Sequence, residues 1–191
     1  MALRVLVVPG SLRADSWNRK LAGVAADAVR AAGGEATLVN LRDFDLPMFD
    51  EDCEKAQGMP EGGKKLKELF ATHPAHVYCS PEYNSSISGV LKNAIDWASR
   101  GAAGEPPLVA FRGKVAALLS TSPGALGGLR GLVHLRSILG NIGVLVLPDQ
   151  VAVMKSHEAF DAQGQLKDAR QAESVKKLAA ELVRTASRLT S

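Results

Sequence analysis

Short, almost unbroken runs of Val, Leu and Ala recur along the chain at residues 3–8, 36–41, 75–80, 115–120 and 144–147. Runs of that length without a polar residue at every second position suit strands covered on both faces. Between them the apolar period changes. Leu21, Val24, Ala25, Ala28, Val29 and Ala32 recur every three or four residues, the spacing that gathers side chains on one face of a helix. Leu66, Leu69 and Phe70 repeat the pattern briefly. Leu91, Ala94, Ile95 and Ala98 form a third stripe, and Leu129, Leu132, Val133, Arg136 and Leu139 a fourth with one polar interruption. The last helix is the clearest, with Val175, Leu178, Ala179, Leu182, Val183 and Ala186 on one side and Glu173, Lys176, Lys177, Glu181 and Arg184 on the other.

Strands that alternate with helices need crossover connections. The pattern therefore predicts a three-layer, doubly wound α/β fold around a five-stranded parallel sheet, with residues 1–191 as one domain. Ligands in such folds bind beyond the carboxyl ends of the strands. That rule selects the loops at 9–18, 81–88 and 121–128, whereas the Gly- and Pro-containing stretch 101–107 reads as a surface connection.

Composition narrows the classes. Of 191 residues, 46% are hydrophobic and 23% charged, enough for one sizeable core, and the net charge of +3 is only mildly basic. It suits an anionic small ligand, and no basic run interleaved with aromatics marks a nucleic-acid face. The first apolar stretch is too short for a signal-peptide core or a membrane span, so a cytoplasmic protein is expected. Cys53 and Cys79 form no CxxC pair, which argues against a disulfide framework and a zinc site. His73, His76, His134 and His157 lack metal-ligand spacing, so no metal is expected. Cys53 sits among carboxylates in DEDCE and Cys79 ends a buried strand, poor settings for a thiolate nucleophile. No G-x-S-x-G elbow is present.

The loop PGSLRADSWN supplies Ser11, Arg13, Ser16 and Asn18 at the start of the first helix. Hydroxyls, an amide and a guanidinium beside unpaired backbone N–H groups make an anion site fit for a terminal phosphate. The plainer reading, in which Ser16 or Asn18 caps the helix and Arg13 is solvated, accounts for the same residues equally well. Neither G-x-G-x-x-G nor G-x-x-x-x-G-K-[ST] occurs; Gly113-Lys114 is followed by Val115, with Leu108 in the place of the leading glycine.

The three segments GSLRADSWN, PEYNSSISGVLKNAIDWASR and STSPGALGG together resemble the NADPH-dependent FMN reductase family of flavodoxin-like quinone and chromate reductases. The resemblance runs from the first strand to about the fourth helix and implies strand order 2-1-3-4-5. By that resemblance Ser11, Arg13, Ser16 and Asn18 hold the FMN phosphate. Pro81, Glu82, Tyr83 and Asn84 border the isoalloxazine ring through backbone amides. Thr121, Ser122 and Gly124 close its other side. Trp17, Ser85 and Ser120, within the same segments, join the cofactor-binding set. Ser85 departs from the family, which often carries an aromatic residue there, and the departure bears on the acceptor pocket.

The implied chemistry is hydride transfer from NADPH or NADH to FMN and electron delivery to a small acceptor such as a quinone or chromate, with no side chain as obligatory acid or base. Trp97, Leu91 and Ile95 are expected to pack. Lys92, Asn93 and Asp96 are expected to share an exposed side, solvated by default and, by the resemblance, a contact in a homodimer or dimer of dimers. Two other functions fit the fold. A flavodoxin-type electron carrier is one, although such carriers tend to be strongly acidic; a phosphate-ligand sensor without redox chemistry is the other.

Overall fold

The computed structural model describes residues 2–190. Five parallel strands form the sheet: β1 (Arg4–Pro9), β2 (Glu35–Leu38), β3 (Ala75–Cys79), β6 (Val115–Thr121) and β7 (Leu145–Val153). A separate two-stranded unit, β4 (Glu82–Tyr83) with β5 (Ser86–Ile87), lies between β3 and β6 in the chain. The large sheet runs β2-β1-β3-β6-β7, which is the expected 2-1-3-4-5 when only its own strands are counted. Helices α1 (Trp17–Ala31) and α7 (Ala169–Thr190) cover one face, with Leu21, Ala25, Val29, Leu178 and Leu182 packed on Val5, Val7, Val77 and Ala117. Helices α3 (Glu61–Thr72), α4 (Gly89–Ala98) and α5 (Leu129–Asn141) cover the other, burying Leu66, Phe70, Leu91, Leu132 and Leu135 against Leu6, Val8, Tyr78 and Leu118. The central strands β3 and β6 are buried throughout, which is why their sequences are mostly apolar, interrupted only by His76 in β3 and by Ser120 and Thr121 at the end of β6. Among the described residues no helix is long and apolar enough to cross a membrane.

Five elements differ from the sequence reading. The final strand extends past Pro148 to Val153, because residues 147–149 bulge: Ala116 faces Val146, yet Leu118 faces Gln150. β7 is an edge strand, where a proline without an N–H is tolerated at a bulge. Arg136, the polar interruption in its helix stripe, donates from Nη1 to the Leu147 carbonyl at 2.7 Å and from Nη2 to Pro148 O at 3.2 Å and Gln150 Oε1 at 3.0 Å. Its guanidinium thus takes up the polar groups the bulge leaves exposed.

On α5, Leu129 and Val133 face solvent, and the buried side is Gly131, Leu132, Leu135 and Leu139. Asn93 was expected on the exposed side of α4 and is instead buried. Its Oδ1 accepts from Phe49 N at 2.8 Å and its Nδ2 donates to Pro47 O at 2.9 Å, tying the segment after β2 to the helix. Finally, α2 (Glu51–Gln57) and the short α6 (Ser156–Ala159) carry too little apolar periodicity to be foreseen; α2 buries nothing.

The carboxyl end of α3 is closed by side chains. His73 Nδ1 meets Leu69 O at 2.7 Å, His76 Nε2 lies 3.1 Å from both Phe70 O and His73 O, and Lys114 donates to Ala71 O. Because both neighbours of His76 Nε2 are carbonyls, that nitrogen carries the proton, and Nδ1 accepts from the Tyr78 hydroxyl at 3.3 Å. Burial pushes the His76 imidazole down to about 3, so it is neutral.

Candidate functional site

The first loop leaves β1 at Gly10. A Cβ there would come within 3.0 Å of Leu91 Cδ2 and 3.3 Å of Pro81 Cδ, so glycine lets the chain pass closely between α4 and the segment after β3 without displacing either side chain. Ser88 fastens this crossing by donating to Gly10 O at 2.6 Å and accepting from Leu91 N at 3.1 Å as the cap of α4. At the start of α1, Ser16 occupies the cap position in an extended conformation, but its hydroxyl makes no capping hydrogen bond. The N–H groups of Trp17 and Asn18 are likewise without an acceptor among the described residues. Arg13 is exposed and its guanidinium has no acceptor or carboxylate among the described residues, while Ser11 Oγ, buried, accepts from Arg13 N at 3.3 Å. An N-terminus left this open is a set of donors facing one place.

The Asn18 side chain is engaged within the protein. Its Nδ2 donates to Thr121 O at 2.9 Å and its Oδ1 accepts from Thr121 N at 3.1 Å, so the amide is spent in both directions on the end of β6. It joins the first loop to the third. Trp17 stacks on Phe160 with centroids 5.9 Å apart and an interplanar angle of 9°, with Lys20 Nζ 4.4 Å above its ring, which makes it a packing residue.

The second loop is a hairpin. Glu82 pairs with Ile87 and Tyr83 with Ser86, leaving Asn84 and Ser85 as the two-residue tip. Both tip residues are left-handed, with φ of 51° and 65°, the requirement of a type I′ turn. Asn84 tolerates that region well and Ser85 less so. Pro81 is buried at the hairpin's base; Tyr83 and Asn84 are exposed at its tip. The Glu82 carboxylate points away from the tip to the first turn of α5, accepting from Gly131 N at 3.0 Å and pairing with Arg130 at 3.0 Å. Burial raises its carboxyl, but the Gly131 N–H and the Arg130 guanidinium outweigh that and hold it below the usual carboxylate range.

In the third loop Ser120 Oγ donates to Ser80 O at 2.6 Å and Thr121 Oγ1 to Val153 O at 2.9 Å. Both hydroxyls are consumed in fixing the floor. Gly128, with φ of 92°, lies directly over Ser120, where a Cβ would fall 1.9 Å from Oγ. Ser122 stays partly exposed and its carbonyl accepts from Ser156 N at 3.0 Å; Gly124 is exposed on the same loop. Ser156 Oγ, immediately behind, is the one buried side-chain polar atom without a partner among the described residues.

The three expected loops therefore converge at the carboxyl ends of β1, β3 and β6. Of the expected residues, Arg13, Tyr83, Asn84 and Gly124 are exposed on these loops, Ser85 and Ser122 are half-buried, and Ser11, Ser16 and Pro81 are buried. Trp17, Asn18, Glu82, Ser120 and Thr121 direct their side chains into the supporting structure. Sequence reasoning missed Ser88, Arg130 and Gly131 as fasteners. The signal for Ser88 was a serine three residues before Leu91 at a helix start.

The sequence profile of the NADPH-dependent FMN reductases matches residues 3–158. The chain belongs to that family. An NAD(P)H-dependent FMN reductase of Pseudomonas aeruginosa is 38% identical over 167 residues, covering 87% of this chain and 85% of the relative. A 2-hydroxy-1,4-benzoquinone reductase of a Burkholderia species is 33% identical over 167 residues, covering 87% and 86%. Among solved structures, the flavoenzyme NAD(P)H:acceptor oxidoreductase of Paracoccus denitrificans superposes with a TM-score of 0.83 at 30% identity over 98% of both chains. Membership makes this an oxidoreductase that uses FMN with NAD(P)H as reductant. The residues present suit that cofactor, since the uncapped start of α1 offers an anion the Ser16 hydroxyl, the Trp17 and Asn18 N–H groups and the Arg13 guanidinium.

Proposed function

We propose that this FMN reductase passes electrons from NADPH to small quinones, and to chromate as a second acceptor, at the cleft formed by the three loops. The single observation that carries the reading is the uncapped start of α1, a cradle of donors on a fifteen-residue helix with no internal acceptor. In this reading Arg13, Ser11, Ser16 and the two N–H groups bind the FMN phosphate. The backbone of residues 81–85 and the loop 121–128 frame the ring.

The redox chemistry, hydride uptake from the nicotinamide and release of two electrons to the acceptor, is supplied by FMN when bound. The protein's part is binding and orientation. Asn18 fixes the phosphate loop against the end of β6, so the distance between phosphate site and ring site is set by two hydrogen bonds. No side chain in the cleft is needed to move a proton in the hydride step. Tyr83 and Asn84, exposed at the hairpin tip, border the mouth through which an acceptor reaches the ring.

A second copy of the chain docks, in this reading, on the face carrying α4 and α5. There Leu126, Leu129 and Val133 are exposed at helical spacing, Val133 at 58%, and α4 carries the partly exposed Lys92–Asp96 ion pair. A cytoplasmic location fits the free Cys53 and Cys79. The test is anaerobic addition of NADPH to the purified protein, followed by a benzoquinone. Loss of the flavin band near the visible maximum and its return on quinone addition are expected. A protein that takes up FMN yet is not bleached by NADPH or NADH would instead be an electron carrier.

A further inference from the structure

The hairpin that frames the ring in the proposed function is too small to hold its own position. Its strands have two residues each, and an isolated hairpin of that size is marginal in water. Its tip carries two left-handed residues, neither of them glycine, so an unfastened tip would relax. What fastens it is α5. Gly128 is the cap of that helix and has no side chain to offer its N–H groups. Glu82 supplies the missing cap from another element, with Oε2 on Gly131 N at 3.0 Å and Oε1 on Arg130 Nε at 3.1 Å.

Close packing makes the junction flush. A Cβ on Gly131 would lie 3.2 Å from Ser86 O and 3.4 Å from Glu82 Cβ. A third tie joins Ser86 Oγ and His134 Nδ1 at 3.0 Å. The loop 121–128 runs straight into α5, so the element that Glu82 grips is the continuation of the opposite wall of the cleft.

We propose that Glu82 is the positioning residue of the ring site: its carboxylate locks the hairpin to the first turn of α5 and so fixes the two walls of the cleft at one spacing. The inference rests on the proposed flavin site and assigns Glu82 no contact with the ring. The backbone N–H groups of the tip face the ring edge in the right place only while the carboxylate bridges Gly131 and Arg130.

The test compares wild type with Glu82→Ala, Glu82→Gln and Arg130→Ala, each titrated with FMN and with riboflavin by flavin fluorescence, and then recorded by visible circular dichroism at saturating FMN. Glu82→Ala is expected to weaken both flavins about tenfold by the same factor, because the phosphate end is untouched, and to alter the dichroism of the saturated protein. Glu82→Gln keeps an acceptor for Gly131 N–H and is expected to recover most of the affinity and the wild-type spectrum; Arg130→Ala is expected to show a smaller loss. Wild-type affinity and spectrum in Glu82→Ala would overturn the proposal and leave the flavin site standing. So would a Glu82→Gln protein no better than the alanine variant. Wild-type protein that binds neither flavin would overturn the site itself, and this proposal with it.

Discussion

Asn18→Asp changes one side-chain nitrogen to oxygen and leaves the shape alone. In the native protein the buried amide donates to Thr121 O at 2.9 Å and accepts from Thr121 N at 3.1 Å. An aspartate can still accept from the N–H, but its second oxygen then faces a carbonyl. Protonation restores the pattern, since the acid O–H donates where the amide did. The folded variant therefore holds its proton above the ordinary aspartate value of about 3.9. Because the native state binds the proton more tightly than the unfolded chain, stability falls as pH rises above 3.9, by about 1.4 kcal/mol per unit until the folded pKa is reached. If that value exceeds 7, the deficit against wild type at neutral pH is about 4 kcal/mol. Asn18→Ala, which orphans both backbone groups, costs about 2–5 kcal/mol at every pH. Urea denaturation of the three proteins between pH 4.5 and 7.5 separates these cases, because other titrating groups cancel in the difference from wild type. A deficit for Asn18→Asp that does not change with pH would refute the two-way amide clamp.

Arg13→Ala should lower FMN affinity by about tenfold, the worth of one partly exposed charge-assisted hydrogen bond, with the melting temperature unchanged because Arg13 has no internal partner; full flavin occupancy after dialysis would count against the phosphate assignment. Gly128→Ala combines a left-handed φ of 92° with a Cβ 1.9 Å from Ser120 Oγ. It should cost about 3 kcal/mol in chemical denaturation, and a loss under about 1 kcal/mol would mean that the loop relaxes freely. His76 is neutral when folded and protonates readily once unfolded, so the protein should lose up to about 1.4 kcal/mol per pH unit as pH falls from 6.5 toward 3. His76→Gln should flatten that acid limb, and an equally steep limb in the variant would assign the acid sensitivity to other groups.

The sheet was readable because burial on both faces writes itself as almost unbroken apolar runs, and the order of the three loops followed from strand ends. The hairpin was not. Asn84-Ser85 lacks the glycine that usually marks a two-residue turn, and the force holding that turn is a carboxylate reaching α5, forty-nine residues away in sequence for Gly131. Pro148 hid the second half of β7, since the bulge that tolerates it depends on Arg136 from α5. Asn18 read as a phosphate ligand or helix cap and Asn93 as a surface amide, because nothing local shows that the acceptors they meet, at Thr121 and Pro47, arrive from elsewhere in the fold. The residues of the first loop were the easier part. Ser11, Arg13 and Ser16 stand together in six positions of sequence, whereas the groups that hold the cleft in shape are distributed over several elements.

The phosphate itself reports most directly on the start of α1. In free FMN the monoester titrates with a second pKa of about 6, so its phosphorus-31 resonance moves between pH 5.5 and 8. Bound among the Ser16 hydroxyl, the Trp17 and Asn18 N–H groups and the Arg13 guanidinium, it should stay a dianion, with a resonance shifted from the free position and flat across that range. A bound resonance that titrates like free FMN would place the phosphate in solvent and contradict the account.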